Sequence, residues 1–282
     1  MTILRAATKF FLRRYKKNPH ETGMRAVLLG DSVSNRVILD GLFERYLLLA
    51  LEREVFTKFP EQAIALDIGA NIGNHTSFMA NRFSKVIAFE PNPIVFHVLM
   101  ANTFGRNIEC HNIGLSDRIA QLPFVINFPN YGLAHIATEG EAADISVDVR
   151  PLDELMPSLA LERLDFIKLD VEGHEYEALQ GARSTISRFK PVIAMEAMYR
   201  LDPALGEGTL SLLEDIGYRH FYEFAPSPGL PDRLTASGFT SASNPLRYLF
   251  PESYRKAVSL KPVPNLRGRD NHLAVLSTEP LV

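Results

Sequence analysis

Leu66-Asp67-Ile68-Gly69-Ala70-Asn71-Ile72-Gly73-Asn74-His75-Thr76 decides how this chain is read. An apolar, β-rich run enters a turn flanked by two glycines, and a helix is expected to start right after it. Gly69 and Gly73 let the backbone approach a ligand closely, and the helix N-terminus adds partial positive charge. A dinucleotide-binding turn would carry a further glycine where Asn71 stands, to admit a pyrophosphate. The loop therefore suits a nucleoside cofactor without a phosphate better than NAD. Glu90 ends the next apolar run, about 20 residues past the glycines, where a carboxylate can bind both hydroxyls of a ribose. With Asp67 and Glu90 both at strand ends, the cofactor reading gains over a merely structural turn.

Working outward, apolar β-rich runs recur at Ile64 to Ile68, Val86 to Phe89, Ile108 to Ile113, Phe166 to Leu169 and Val192 to Met195. Helical segments are expected between them at Asn74 to Arg82, Ile94 to Phe104 and Glu175 to Ser187. Strand and helix in alternation predict a mainly parallel sheet covered by helices on both faces. Leu122 to Asn127 and Ile145 to Val149 read as an extra strand pair inserted before the fourth parallel strand.

The segment before this sheet, residues 1–60, is expected to be an extension of the main domain at 61–282. It begins with a basic amphipathic helix over residues 1–17, which docks on a membrane surface or acidic partner, or more simply packs on its own domain. A hairpin about Gly30-Asp31 and a helix from Leu42 to Phe59 complete it. Near the other end, residues 225–270 are rich in Pro, Ser and Gly between expected strands at Arg219 to Phe224 and His272 to Leu276. A connection of that length predicts a functional lid. Its aromatics, Phe239, Tyr248, Phe250 and Tyr254, suit sugar stacking or simple packing.

The 282 residues carry a net charge of −3, 46% hydrophobic content and one cysteine, Cys110, so no internal disulfide is available and a reducing, cytoplasmic setting is expected. Cys110 sits in an apolar run and reads as a structural thiol. No stretch is long and apolar enough to span a bilayer, and no secretory signal is expected. The charge gives no global attraction to nucleic acid, and the basic N-terminal segment is too small to track a phosphate backbone. The turn Asp170-Val171-Glu172-Gly173 also lacks the aromatic and prolines with which amino-methylating enzymes stack a target base.

Five motifs resemble one known family, the FkbM-type methyltransferases: the turn at 67–76, Ala-Phe-Glu-Pro-Asn-Pro at 88–93, Gly-Leu-Ser-Asp at 114–117, Pro-Leu-Asp-Glu-Leu at 151–155, and Phe-Ile-Lys-Leu-Asp-Val-Glu-Gly-His-Glu at 166–175. The Gly41-Leu42-Phe43-Glu44 step is similar too. The resemblance covers about Leu39 to Met195 and leaves the lid outside. It implies a Rossmann-like class I methyltransferase sheet with an antiparallel closing strand. It also implies S-adenosylmethionine as cofactor and a hydroxyl of a sugar, glycan or natural product as acceptor. The loop Asp67, Gly69, Ala70, Asn71, Gly73 would then hold the methionine end and Glu90 the ribose. Ser116 and Asp117 would lie beside the adenine, or form a plain turn.

Ligands of open α/β sheets bind beyond the carboxyl ends of the strands. Asp170 ends the fourth parallel strand and is the first candidate for the active site. Glu172 and His174 follow it, either in catalysis or as helix-start residues, and His174 is a candidate general base. Asn130 to His135 forms either part of the acceptor pocket, with His135 as a rival base, or an ordinary loop. Asp170, Glu172, His174 and Glu196 have ligand chemistry, but their spacing matches no metal motif, so no metal is expected. The competing functions are a nicotinamide-dependent oxidoreductase and a non-catalytic nucleoside-binding protein.

Overall fold

The computed structural model describes residues 26–198, 203–226 and 258–281. Two short helices open it, α1 (Ser32–Asp40) and α2 (Arg45–Glu54). The turn expected to join two strands at Gly30-Asp31 is instead a helix start. The buried Asp31 carboxylate accepts the backbone N–H of Ser34 at 2.7 Å. That cap turns Val37-Ile38-Leu39, which strand propensity favours, into helix, with Val37 buried. The long helix expected from Leu42 to Phe59 is shorter, α2 followed by a single 3-10 turn at Phe56–Lys58.

The alternating region then runs β1 (Ile64–Ile68), α3 (Asn74–Met79), β2 (Lys85–Phe89), α4 (Pro93–Thr103) and β3 (Ile108–His111). After it come β4 (Gly114–Leu115), β5 (Ala120–Val125), β6 (His135–Ile136), β7 (Ile145–Arg150) and α5 (Leu152–Leu159). The series resumes with β8 (Phe166–Leu169), α6 (Glu175–Gln180), α7 (Arg183–Phe189), β9 (Val192–Met198) and α8 (Pro203–Ile216). It closes with β10 (His220–Pro226), β11 (Val258–Val263) and β12 (Asp270–Ser277).

The main sheet has the order β11-β10-β12-β9-β8-β1-β2-β3. Its strands β9, β8, β1, β2 and β3 are parallel, and β12 is antiparallel to β9 and to β10. This is the class I methyltransferase arrangement, extended at its edge by β11. The chain order reverses between β1 and β8, which makes their carboxyl ends the natural ligand crevice.

Alternate residues of each central strand face opposite layers. Leu66, Ile167, Ile193 and Leu276 enter one core, while Ala65, Phe166, Ala194 and Val275 enter the other with Leu47, Leu48 and Leu51 of α2. Burial on both faces explains why these strands read as continuous apolar runs rather than alternating ones. Each fully buried Leu or Phe side chain contributes roughly 1.5–3 kcal/mol.

The inserted strands do not join this sheet. β5 and β7 pair antiparallel and, with β4 and β6, form a separate sheet of order β4-β7-β5-β6. The helix expected over Glu175 to Ser187 is broken at Gly181, where a Cβ would lie 1.9 Å from the Ser116 carbonyl oxygen. That close approach docks the start of the small sheet against the main domain. Of the expected lid, residues 258–263 are strand β11, whereas 227–257 lie outside the described residues, as does the expected basic helix at 1–17. Among the described residues no helix is long and apolar enough to cross a membrane.

Gly181→Ala should therefore lower stability by about 1–3 kcal/mol through overlap alone. A thermal unfolding midpoint equal to that of the wild type would show that the Ser116–Gly181 contact is not a constraint.

Candidate active site

Three strand ends and one turn define a cleft of about 220 Å³ at the carboxyl edge of the sheet. Its floor is Gly69, Ala70 and Asn71. At Gly69, with φ +79°, a Cβ would meet the Asp170 carbonyl oxygen at 1.8 Å, so the turn and the end of β8 touch through bare backbone. Gly73 does not line the cleft and faces Leu99 of α4 instead. Asn71 itself takes the left-handed conformation, φ +51°.

Glu90 stands at the end of β2 and lines the same cleft. Its Oε2 accepts the N–H of Asn71 and its Oε1 the N–H of Asn92, both at 2.9 Å. Burial pushes its carboxyl up to about 7 even against these two donors. Asp67 is fully buried beneath the floor, where its Oδ2 accepts the Thr76 hydroxyl at 2.6 Å.

Lys168, within β8, is a cation placed in an otherwise apolar strand. Its Nζ donates to the Gly69 carbonyl at 2.8 Å and lies 3.3 Å from Asp170 and 3.5 Å from Asp67. Burial works against its charge, yet Asp170 and Asp67 together hold the ammonium above the usual lysine range. Asp170 is thereby fixed at the strand end, on the cleft wall.

A second cavity of about 550 Å³ adjoins the first, and the two share Ile136, Glu172, His174 and Glu196. Glu172 has a left-handed backbone, φ +53°. Carboxylate oxygens of Asp170, Glu172 and Glu196 all lie within 4.8 Å of one another. Burial, with the Asp170 charge next in weight, pushes Glu172 up to about 7 and Glu196 up to about 9. His174 occupies the position just before α6, but its side chain caps nothing. Its Nε2 lies 2.9 Å from Ser116 Oγ and its Nδ1 3.6 Å from Glu177, and burial lowers its pKa.

The structure thus brings Gly69, Ala70, Asn71, Glu90, Asp170, Glu172 and His174 to the cavities. Ser116 is buried behind His174, and Asp117 pairs with Arg118 at 3.0 Å; neither lines either cavity. Gly114, Leu115, Phe124 and Val149 line the cleft instead. Tyr131, Gly132 and Leu133 line the cleft, while His135 faces the second cavity and contacts Glu141 at 3.2 Å. The 130–133 turn is latched to α1: Asn130 Oδ1 accepts from the Ser32 N–H at 3.1 Å, and Gly132 N–H donates to Asp31 at 3.1 Å. Sequence reasoning passed over Lys168, although a lysine inside an apolar run was its signal. It also gave no site role to Glu44 and His75, although both stand in stretches that carry the family resemblance.

The raised glutamates set a pH dependence. A carboxyl whose folded pKa exceeds its unfolded value keeps a proton that the unfolded chain has released, so stability falls as pH rises through that window. With Glu196 at about 9, the unfolding midpoint should decline between about pH 7 and 9, and Glu196→Gln should flatten the decline. A wild-type midpoint that is constant or rising across this window would contradict the crowding.

Residues 67–220, more than half of the chain, match the Methyltransferase FkbM domain family. Similar proteins include Methyltransferase 1 of Beauveria bassiana, 29% identical across 44% of this chain and 59% of that protein. Hexuronic acid methyltransferase AglP of Haloferax volcanii is 31% identical across 51% of this chain and 59% of its own length. The chain thus spans somewhat under two thirds of these relatives. The crystal structure of an FkbM methyltransferase from Methylobacillus flagellatus KT superposes with a TM-score of 0.44 at 24% identity, over 71% of this chain and 50% of that one. On the extent of the family match, the chain belongs to the FkbM methyltransferase domain family.

Proposed function

We propose that this protein is an S-adenosylmethionine-dependent methyltransferase that methylates a hydroxyl of a sugar, glycan or natural product, and that it works in the cytoplasm. The observation that carries the reading is the buried Glu90 carboxylate at the end of β2 and Asp170 at the end of β8, the strands on either side of β1, whose turn Gly69, Ala70 and Asn71 lines the same cleft. The fit is chemical. Each Glu90 oxygen already accepts one backbone N–H and keeps a lone pair for a ribose hydroxyl. The turn with Asn71 provides no pyrophosphate cradle, which favours this cofactor over NAD.

When bound, the cofactor supplies a methyl group already activated by its sulfonium. The protein's work is then alignment and water exclusion. The second cavity is the seat for the acceptor, since it meets the cleft at Glu172, His174 and Glu196. Asp170 orients the acceptor hydroxyl at this junction. Glu172, whose carboxyl burial pushes up to about 7, is placed to take the proton at neutral pH. His174 holds Ser116 and forms the wall between the chambers, and it is the alternative base. A relative named for hexuronic acid methylation supports a sugar as acceptor. No nucleic acid partner is part of this reading.

Glu90→Ala should weaken S-adenosylmethionine binding by about 1.5–3 kcal/mol, as for loss of a charged hydrogen-bond partner. Unchanged affinity by calorimetry in a folded variant would remove Glu90 from the ribose site. Asp170→Asn should lower kcat/KM by ~10²–10⁴. A parallel rise in cofactor Kd would assign Asp170 to cofactor binding, and a fall in kcat alone to the acceptor. Full activity would place the chemistry elsewhere.

A further inference from the structure

Glu44 combines three features that its fold alone does not require. It stands immediately before α2 with φ +53° and ψ +31°, a left-handed backbone that favours glycine. Its side chain makes no capping hydrogen bond to the helix it precedes. It lines the cleft that holds Gly69 and Asp170.

Its position is registered to the glycine turn. Asn74, the first residue of α3 and buried, accepts the Phe43 N–H at 2.9 Å and donates to the Phe43 carbonyl at 3.0 Å. The same helix start supplies His75, 8% exposed, whose Nε2 lies 3.4 Å from Glu44 Oε2 and completes no hydrogen bond. Among the described residues no lysine or arginine is within ion-pair distance of Glu44. Lys168 is close enough for its charge to be felt, but its Nζ is held by Gly69, Asp170 and Asp67. Asp170 is therefore already matched by a permanent cation, whereas Glu44 faces the His75 imidazole, a cation only when protonated.

We infer that Glu44 is the binding residue for the ammonium of the cofactor's amino-acid end, with the orphaned His75 Nε2 available to the adjoining carboxylate. This rests on the S-adenosylmethionine reading and sharpens it. The cleft then grips the ligand at two ends, ribose hydroxyls at Glu90 and ammonium at Glu44, and leaves Asp170 to the acceptor.

Two probes separate this role from a structural one. S-Adenosylhomocysteine carries the amino-acid end, and 5′-methylthioadenosine shares its adenosine and sulfur but lacks that end. Calorimetry on the full chain should show Glu44→Gln weakening S-adenosylhomocysteine ~10-fold or more while methylthioadenosine changes less than about twofold. Glu44→Gly removes the same carboxylate and relieves the positive φ, so it should lose the same affinity while unfolding at an equal or higher temperature. Equal losses for both probes, or none, with the wild type binding both, overturn the role of Glu44 and leave the cofactor reading intact. A wild type that binds neither probe overturns both.

Discussion

The Lys168 ammonium, buried between Asp67, Asp170 and the Gly69 carbonyl, is the interaction on which the site depends. It ties the carboxyl ends of β1 and β8 together at the point where the sheet reverses its strand order. A buried pair of this kind contributes little net stability over an apolar replacement, but removing one partner leaves a charge uncompensated, at a cost of about 3–5 kcal/mol. Its value lies in position. Lys168 fixes the Gly69 carbonyl, and the Gly69 backbone fits against Asp170 with no room for a side chain. The turn that floors the cleft and the acid that ends β8 are thus a single rigid unit.

Around that unit, each wall is supplied by a different part of the chain and each is pinned. Glu90 is oriented by the N–H groups of Asn71 and Asn92. The 130–133 turn is held at the cleft by Asp31 and Ser32 at the start of α1. The small sheet is seated by the Ser116–Gly181 contact and by the His174–Ser116 pair. A cleft built in this way is pre-organised, which suits a reaction whose chemistry needs alignment more than reactive protein groups. Crowding of Asp170, Glu172 and Glu196 is the exception, because burial, with the Asp170 charge next in weight, raises the pKa of Glu172 and Glu196.

The sheet was legible in the sequence because strands buried on both faces write continuous apolar runs, and all five parallel strands fall where those runs lie. The glycine turn and Glu90 were legible for a related reason: strand ends facing the crevice have a fixed place in the chain. What escaped was whatever depends on contacts distant in sequence. Val37-Ile38-Leu39 looked extended, and only the Asp31 cap, itself shared with Gly132, made it helix. The break at Gly181 depends on a carbonyl 65 positions earlier, at Ser116. Ser116 and Asp117 follow β4 as expected, but the chain turns them behind His174 rather than onto the cleft. Glu44 stood in a step that resembled the family, but its place beside the cleft is set by the Phe43–Asn74 hydrogen bonds to another helix.

The central claim is that the Gly69–Asn71 turn and Glu90 hold a nucleoside cofactor without a pyrophosphate. The most direct measurement is a pair of calorimetric titrations of the wild-type protein, one with S-adenosylmethionine and one with NAD. The account predicts saturable binding of S-adenosylmethionine at a single site and no heat of binding for NAD. Saturable binding of NAD with none for S-adenosylmethionine would contradict it.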